Sequence, residues 1–341
     1  MKDQHNQEDE EIYKSFISES IHNLEQSNNI SEEEQIKLIK NGKNRAFKTN
    51  IMVSLAVLLL IVPVMTLSTF LYYGIGGKAN KQIEVATKTI YITEPNMSLE
   101  EMELEEEIGF FSMDIYFDIY KKIGKEDYKA GDYKVHYVLD KPGFPERNMQ
   151  TERPLKEIAS METDHLIHPD ALVPPGFDHQ WDILKGLPDG TVGEVYLSLN
   201  KVMDPDELEK QLGNEVEVRW VAVDTGMESK QLDKEGLPIS PIGFPLQIDQ
   251  TTWSPFNGRE QTNEEVFIDT LEFLQKNEES AEKIARAKSL SLNERIPYIK
   301  ENGVQVYGAV VTGPIPELRK LEQNELIRAM KVGEVKLWNW K

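Results

Sequence analysis

The sequence predicts a short helical segment, one transmembrane helix, and an external domain of α+β or α/β class in which a sheet is covered by helices. Three observations carry this. Residues 49 to 77 hold no acidic or basic side chain. Before Lys48, apolar residues recur at three- and four-residue steps, the period of a helix. Beyond Thr191, strand-like runs alternate with helix-like ones, the pattern of a sheet packed against helices.

Composition narrows the function before any element is placed. The chain has 341 residues, a net charge of -21 and no cysteine, with 39% hydrophobic and 28% charged residues. That mixture belongs to a folded chain rather than a disordered one, and the length suggests about two domains. Phosphate binding needs a positive surface, so direct contact with nucleic acid is not expected. Lack of cysteine removes disulfides, thiol catalysis and cysteine-ligated zinc.

The elements follow in order. In "EEIYKSFISESIHNLEQ", Ile12, Tyr13, Phe16, Ile17, Ile21 and Leu24 fall on one helical face. Glu10 and Glu11 at its start suit the helix dipole. In "SEEEQIKLI", Ser31 and Glu34 make a capping box, with Ile36, Leu38 and Ile39 as the apolar stripe. Residues 1–48 are thus expected to form two short amphipathic helices on the cytoplasmic side, too little chain for a catalytic domain. Helices this short are marginal alone in water, so their apolar faces must meet something. Lys37, Lys40 and Lys43 suit the second for anionic lipid. The first, acidic to neutral and farther from the bilayer, suits a protein partner or packs on the second.

The transmembrane segment is placed at 49–75, with the core Ile51 to Tyr73. These residues span ~34 Å as a helix, enough for a bilayer core with some tilt. Pro63 is tolerated in such a helix, and Tyr72 and Tyr73 close it where an aromatic belt lies. A buried core helix would carry a polar face, and a cleaved signal peptide does not begin after some fifty residues. Lys37, Lys40, Lys43, Arg45 and Lys48 crowd one flank, against Lys78 and Lys81 on the other. The positive-inside rule then puts the N-terminus in the cytoplasm of a single-pass protein of the cell membrane, with the C-terminal domain extracellular.

Residues 76–140 form the membrane-proximal external part. "KQIEVATKTIYIT" (81–93) alternates as a strand does. Six glutamates between Glu100 and Glu107 read as a solvated face rather than a cation site. "FFSMDIYFDIYKKI" and "YKVHYVLD" are rich in strand formers. Residues 141–190 are a Pro-rich connection that holds His165, His168 and His179 beside Asp164, Asp170 and Asp178. Imidazole and carboxylate suit zinc. Their spacing matches no standard site, and Pro169 interrupts any ligand-bearing helix, so no metal and no cofactor are expected. The three histidines remain candidates by residue type only.

Residues 191–341 read as a C-terminal domain. "TVGEVYLSLN" is a strand, "DPDELEKQL" a helix with Asp204 as N-cap and Pro205 at its first position, and "EVEVRWVAVD" a second strand. Helical patterns follow at "NEEVFIDTLEFLQKN", "SAEKIARAKSL" and "SLNERIPYIKENG", and "EVKLWNW" closes as a strand. Between them "GVQVYGAVVTGPIPELRKLEQ" joins a strand to a helix through Thr-Gly-Pro, a type of junction that can hold phosphate. Here Pro314 and Pro316 lack the N–H donors such a cradle needs, and the Gly-rich signatures are missing. The junction is read as structural. With no Ser-His-Asp order, nucleophile elbow or His-Glu-x-x-His, no enzyme is expected.

Taken together, "YIKENGVQVYGAVVTGPIPELRKL", "EVYLSLNK", "EVRWVAVDTG" and "GFP" resemble the sigma factor regulator family of Gram-positive bacteria. Its members are single-pass membrane proteins typified by the anti-sigma-M factors of bacilli. Tyr307 to Pro314 is the strongest part of a likeness running from Thr191 to about Leu321. The resemblance implies that the cytoplasmic helix sequesters an extracytoplasmic-function sigma factor through Tyr13, Phe16, Ile17, Ile21 and Leu24. It implies also that the outer domain senses envelope state, or another membrane or envelope protein, and controls release. One departure is the zinc motif of one His and two Cys that many anti-sigma domains carry; here there is no Cys, and His22 stands alone. The alternatives are a cell-envelope binding module without sigma-factor binding and a metal-dependent envelope enzyme.

Overall fold

The computed structural model describes residues 14–22, 31–99, 105–150, 165–230, 239–247, 254–257, 260–286 and 289–340. It divides into two compact units, Met1–Thr66 and Leu67–Lys341.

In the first unit residues 14–22 are helical. Ser31 then opens the helix α1 (Glu32–Gly74). Its N–H donates to the Glu34 carboxylate at 3.3 Å while the Glu34 N–H donates to Ser31 Oγ at 3.3 Å, a closed capping box. Glu32, Glu33 and Glu34 occupy the first turn, where the dipole favours them. The helix does not stop before the apolar segment: 43 residues run through Pro63 to Gly74. Close to Pro63, the Thr66 hydroxyl donates to the Val62 carbonyl at 2.9 Å. Among the described residues, the stretch Glu32–Thr93 is the one long and apolar enough to cross a membrane, and its apolar window is wholly unburied.

In the second unit, Gly76 and Gly77 take φ of 73° and 67°, which turns the chain into α2 (Lys78–Thr93). This corrects the strand expected over 81–93. Val85–Thr93 are buried on all sides, so polarity along the segment reports no exposed face. Its threonines, strand formers by propensity, have partners within the helix instead. The Thr87, Thr89 and Thr93 hydroxyls donate to the carbonyls of Ile83, Val85 and Thr89 at 3.0, 2.7 and 2.6 Å.

The first sheet is antiparallel: β1 (Met97–Leu99), β2 (Glu105–Ile108), β3 (Ser112–Ile123), β4 (Glu126–Val138), β5 (Lys141–Pro142) and β6 (Glu146–Met149). Strands β1 and β2 pair with β3, β3 with β4, and β4 with β5 and β6. Strict alternation along β3 buries Met113, Ile115, Phe117, Ile119 and Ile123, which is the half-covered sheet pattern. Three of the expected glutamates lie on β2; Glu107 accepts the Tyr116 hydroxyl at 3.1 Å.

The second sheet follows α3 (Gln180–Gly186) and runs in the order β11-β7-β10-β8-β9, every neighbour antiparallel. Its strands are β7 (Thr191–Met203), β8 (Glu217–Val223), β9 (Gly243–Pro245), β10 (Val306–Pro314) and β11 (Ile327–Leu337). Between them lie α4 (Pro205–Leu212), α5 (Asn263–Gln275), α6 (Glu278–Ile284), α7 (Leu292–Asn302) and α8 (Ile315–Lys320). Asp204 caps α4, accepting from the N–H groups of Asp206 and Glu207, as the Asp-Pro signal predicts. Antiparallel sheets with separate helices make the class α+β.

The Thr-Gly-Pro junction acts inside this core. Strand β10 sits between β7 and β8 and is buried along its whole length. The Thr312 hydroxyl donates to Gly193 O at 2.9 Å and accepts from the Gly124 N–H, at the β3–β4 turn of the first sheet, at 2.7 Å. At Gly308 an added Cβ would meet the Leu197 carbonyl at 2.9 Å, so only glycine allows the two strands this approach.

Candidate partner-binding site

Of the predicted stripe, Phe16, Ile17 and Ile21 are described, on the helical residues 14–22, and they are 66%, 42% and 50% exposed. Tyr13 and Leu24 lie outside the described residues. Ile17 and Ile21 are one turn apart and Phe16 adjoins them, so the three share one side of the helix. Burying each against a partner removes apolar surface worth about 1.5–3 kcal/mol. Such a surface can dock a protein or lipid and offers no group for bond chemistry.

The three histidines do not come together. His165 packs edge-on against Tyr196, ring centres 5.1 Å apart. His168 is buried against Tyr307, with its Nδ1 accepting the Asp170 N–H at 3.2 Å and its Nε2 3.6 Å from Asp224 Oδ1. His179 is exposed, just before α3. Asp164 is outside the described residues, and among those described no three His, Cys, Asp or Glu side chains could share a metal ion. Their segment is fastened to the second sheet: Ile167 N–H donates to Ser198 Oγ at 2.9 Å, and the Arg328 guanidinium donates to the carbonyls of His168 and Ala171 at 3.1 and 2.7 Å.

Two buried polar clusters escaped the sequence reading. In the first, Arg295 Nη1 lies 2.9 Å from Glu228 Oε1, both side chains buried, while the Thr225 N–H and hydroxyl also donate to the Glu228 carboxylate. Beside it, burial pushes the Asp224 carboxyl up, but the neighbouring His168 imidazole and hydrogen bonds from the Gly226 N–H and the Tyr298 hydroxyl outweigh that and leave it below the ordinary value. Burial, reinforced by the hydrogen bond to Asp224, raises the Tyr298 phenol to about 12.

The second cluster crosses from one sheet to the other. Lys121 Nζ on β3 is 3.1 Å from Glu194 Oε2 and 3.1 Å from the Tyr196 hydroxyl, both on β7. Asn96 donates to Glu194 Oε1 at 2.8 Å. A signal was present: Lys121 occupies an inward phase of the β3 alternation, and Glu194 interrupts the apolar run of β7. Charges in buried phases call for partners.

Against this geometry, profiles described as "Sigma factor regulator N-terminal" and "Sigma factor regulator C-terminal" match residues 36–128 and 184–334. The chain is 31% identical over 339 residues to the "Probable anti-sigma-M factor YhdL" of Bacillus subtilis (strain 168), covering 97% of this chain and 91% of the relative. No solved structure matches it. The N-terminal match runs from within α1 through the whole of β3 to the start of β4, and the C-terminal match takes in the second sheet as far as most of β11, so both halves of the architecture are accounted for by one family: this chain belongs to the sigma factor regulator family.

Proposed function

We propose that this protein is a membrane-anchored anti-sigma factor acting on an extracytoplasmic-function sigma factor, and that it is not an enzyme. The similarity to a probable anti-sigma-M factor over 97% of the chain carries the reading. The exposed side chains Phe16, Ile17 and Ile21, with Tyr13 and Leu24 of the same sequence stripe, are the surface assigned to the sigma factor. An amphipathic helix laid into an apolar groove is an established mode of peptide recognition. The anchor is Ile51 to Tyr73, which crosses the bilayer with residues 1–48 in the cytoplasm and the part beyond 76 outside. Binding of an envelope ligand or protein by the outer domain then sets the release of the sigma factor.

The test is transcription in cells. Phe16→Asp/Ile17→Asp in the full chain should raise expression from promoters of one sigma factor to the level seen when the gene is deleted, with the protein still in the membrane fraction. Unchanged repression would remove the stripe from the mechanism.

A further inference from the structure

The last turns of α1 are bolted to two loop tips of the first sheet. The Tyr73 hydroxyl donates to Leu139 O at 3.0 Å and also lies 3.3 Å from Phe111 O. Thr69 Oγ1 accepts the Phe111 N–H at 3.0 Å, the Leu139 N–H donates to Phe111 O at 2.8 Å, and Gln82 donates to Leu139 O at 2.8 Å. Thr69 and Tyr73 are buried in this junction. Phe111 and Leu139 have φ of 49° and 58°, a left-handed backbone that large side chains rarely adopt and that persists only where neighbours enforce it.

These turns leave apolar side chains outside. Phe110 is 57% exposed, and Val138 and Leu139 are exposed on the neighbouring tip. At the same end, Leu67, Phe70 and Leu71 of α1 are exposed as well. A soluble protein seldom leaves so many large apolar groups together without a partner. Polar groups then follow in a definite order along the chain. Tyr72 comes first, with Lys78 Nζ 3.7 Å from its ring centre, and Lys78 and Lys81 line a cleft of mixed charge with Lys276, Asp140, Glu278 and Glu279. Apolar groups, then an aromatic ring, then ammonium groups is the sequence met on leaving a bilayer core for its headgroups.

We propose that the tips around Phe110 and Leu139 insert into the outer interface of the bilayer, with Lys78 and Lys81 at the level of lipid phosphates. This rests on the reading that α1 crosses the membrane. The outer domain is then seated on lipid as well as tethered to it. Tyr73 fixes these tips to the last turn of α1.

Because the chain has no cysteine, single cysteines can be placed at will. Phe110→Cys, Leu139→Cys, Val57→Cys and Leu172→Cys would each be spin-labelled in the full chain, in vesicles of phosphatidylglycerol and phosphatidylethanolamine. All four positions are exposed, so the fold tolerates the label. Collision with dissolved oxygen, which favours lipid, is compared with collision with a water-soluble nickel chelate. The proposal expects the oxygen-to-nickel ratio at positions 110 and 139 to exceed that at 172 several-fold, in the direction of position 57. Lipid-like values at 57 with water-like values at 110 and 139 would overturn the seat alone. Water-like values at 57 too would remove the membrane span and the seat together.

Discussion

Lys121 and Glu194 tie the two sheets of the second unit, and their removal has a calculable cost. Both side chains are buried, and the Glu194 carboxylate also accepts from Asn96 and from the Tyr196 hydroxyl. Lys121→Met leaves that carboxylate buried without its cation, a change that typically costs ~3–5 kcal/mol. The remaining donors to Glu194 place it near the lower end of that range. Glu194→Gln keeps an acceptor for Asn96 but removes the carboxylate that faces the Lys121 ammonium, with a loss of similar size. The double variant Lys121→Met/Glu194→Gln removes both members of the buried ion pair, so it should be more stable than either single variant and lie within ~1–2 kcal/mol of the parent protein. Urea unfolding of the detergent-solubilised chain can follow the fluorescence of Trp220, which is buried with its indole N–H donating to Tyr91 O at 3.0 Å. Single losses below ~1 kcal/mol, or losses that simply add in the double variant, would show that the pair does not clasp the sheets as described.

Three further outcomes follow from named contacts. Thr312→Val keeps the shape but removes the hydroxyl that donates to Gly193 O and accepts from the Gly124 N–H, so it should cost about 1–3 kcal/mol in the same unfolding assay. The Asp224 carboxyl is held below its ordinary value, so its stabilising share is present above about pH 4 and is lost as pH falls through that depressed value. Asp224→Asn should therefore be less stable than the parent at neutral pH, with the gap closing in acid. The Tyr307 hydroxyl is buried and makes no hydrogen bond among the described residues, so Tyr307→Phe should leave the melting temperature unchanged or raise it.

Local signals were legible in the sequence wherever local chemistry decides. The Ser31–Glu34 capping box, the Asp204-Pro205 helix start and the apolar runs of β7, β8 and β10 all stand where their patterns place them. Segment 81–93 misled because residues 85–93 are buried all round, and its threonines bond their own helix. Strand direction and pairing were not legible, since apolar runs do not say which neighbour covers them. The polar clusters were hidden by distance along the chain: Lys121 meets a residue 73 positions away, and Gly124 meets Thr312 across 188. For the stripe, helical period found Phe16, Ile17 and Ile21. A period identifies an apolar face and is silent on what covers it.

The central claim is that this face holds a sigma factor. The direct measurement is co-purification: the full chain, affinity-tagged and extracted in detergent from the membranes of cells that carry it, beside Phe16→Asp/Ile17→Asp made at the same level. One sigma factor retained by the parent chain and lost from the variant is the expected result. Equal retention by both would move the binding site elsewhere on the chain, and retention by neither would contradict sigma-factor binding itself.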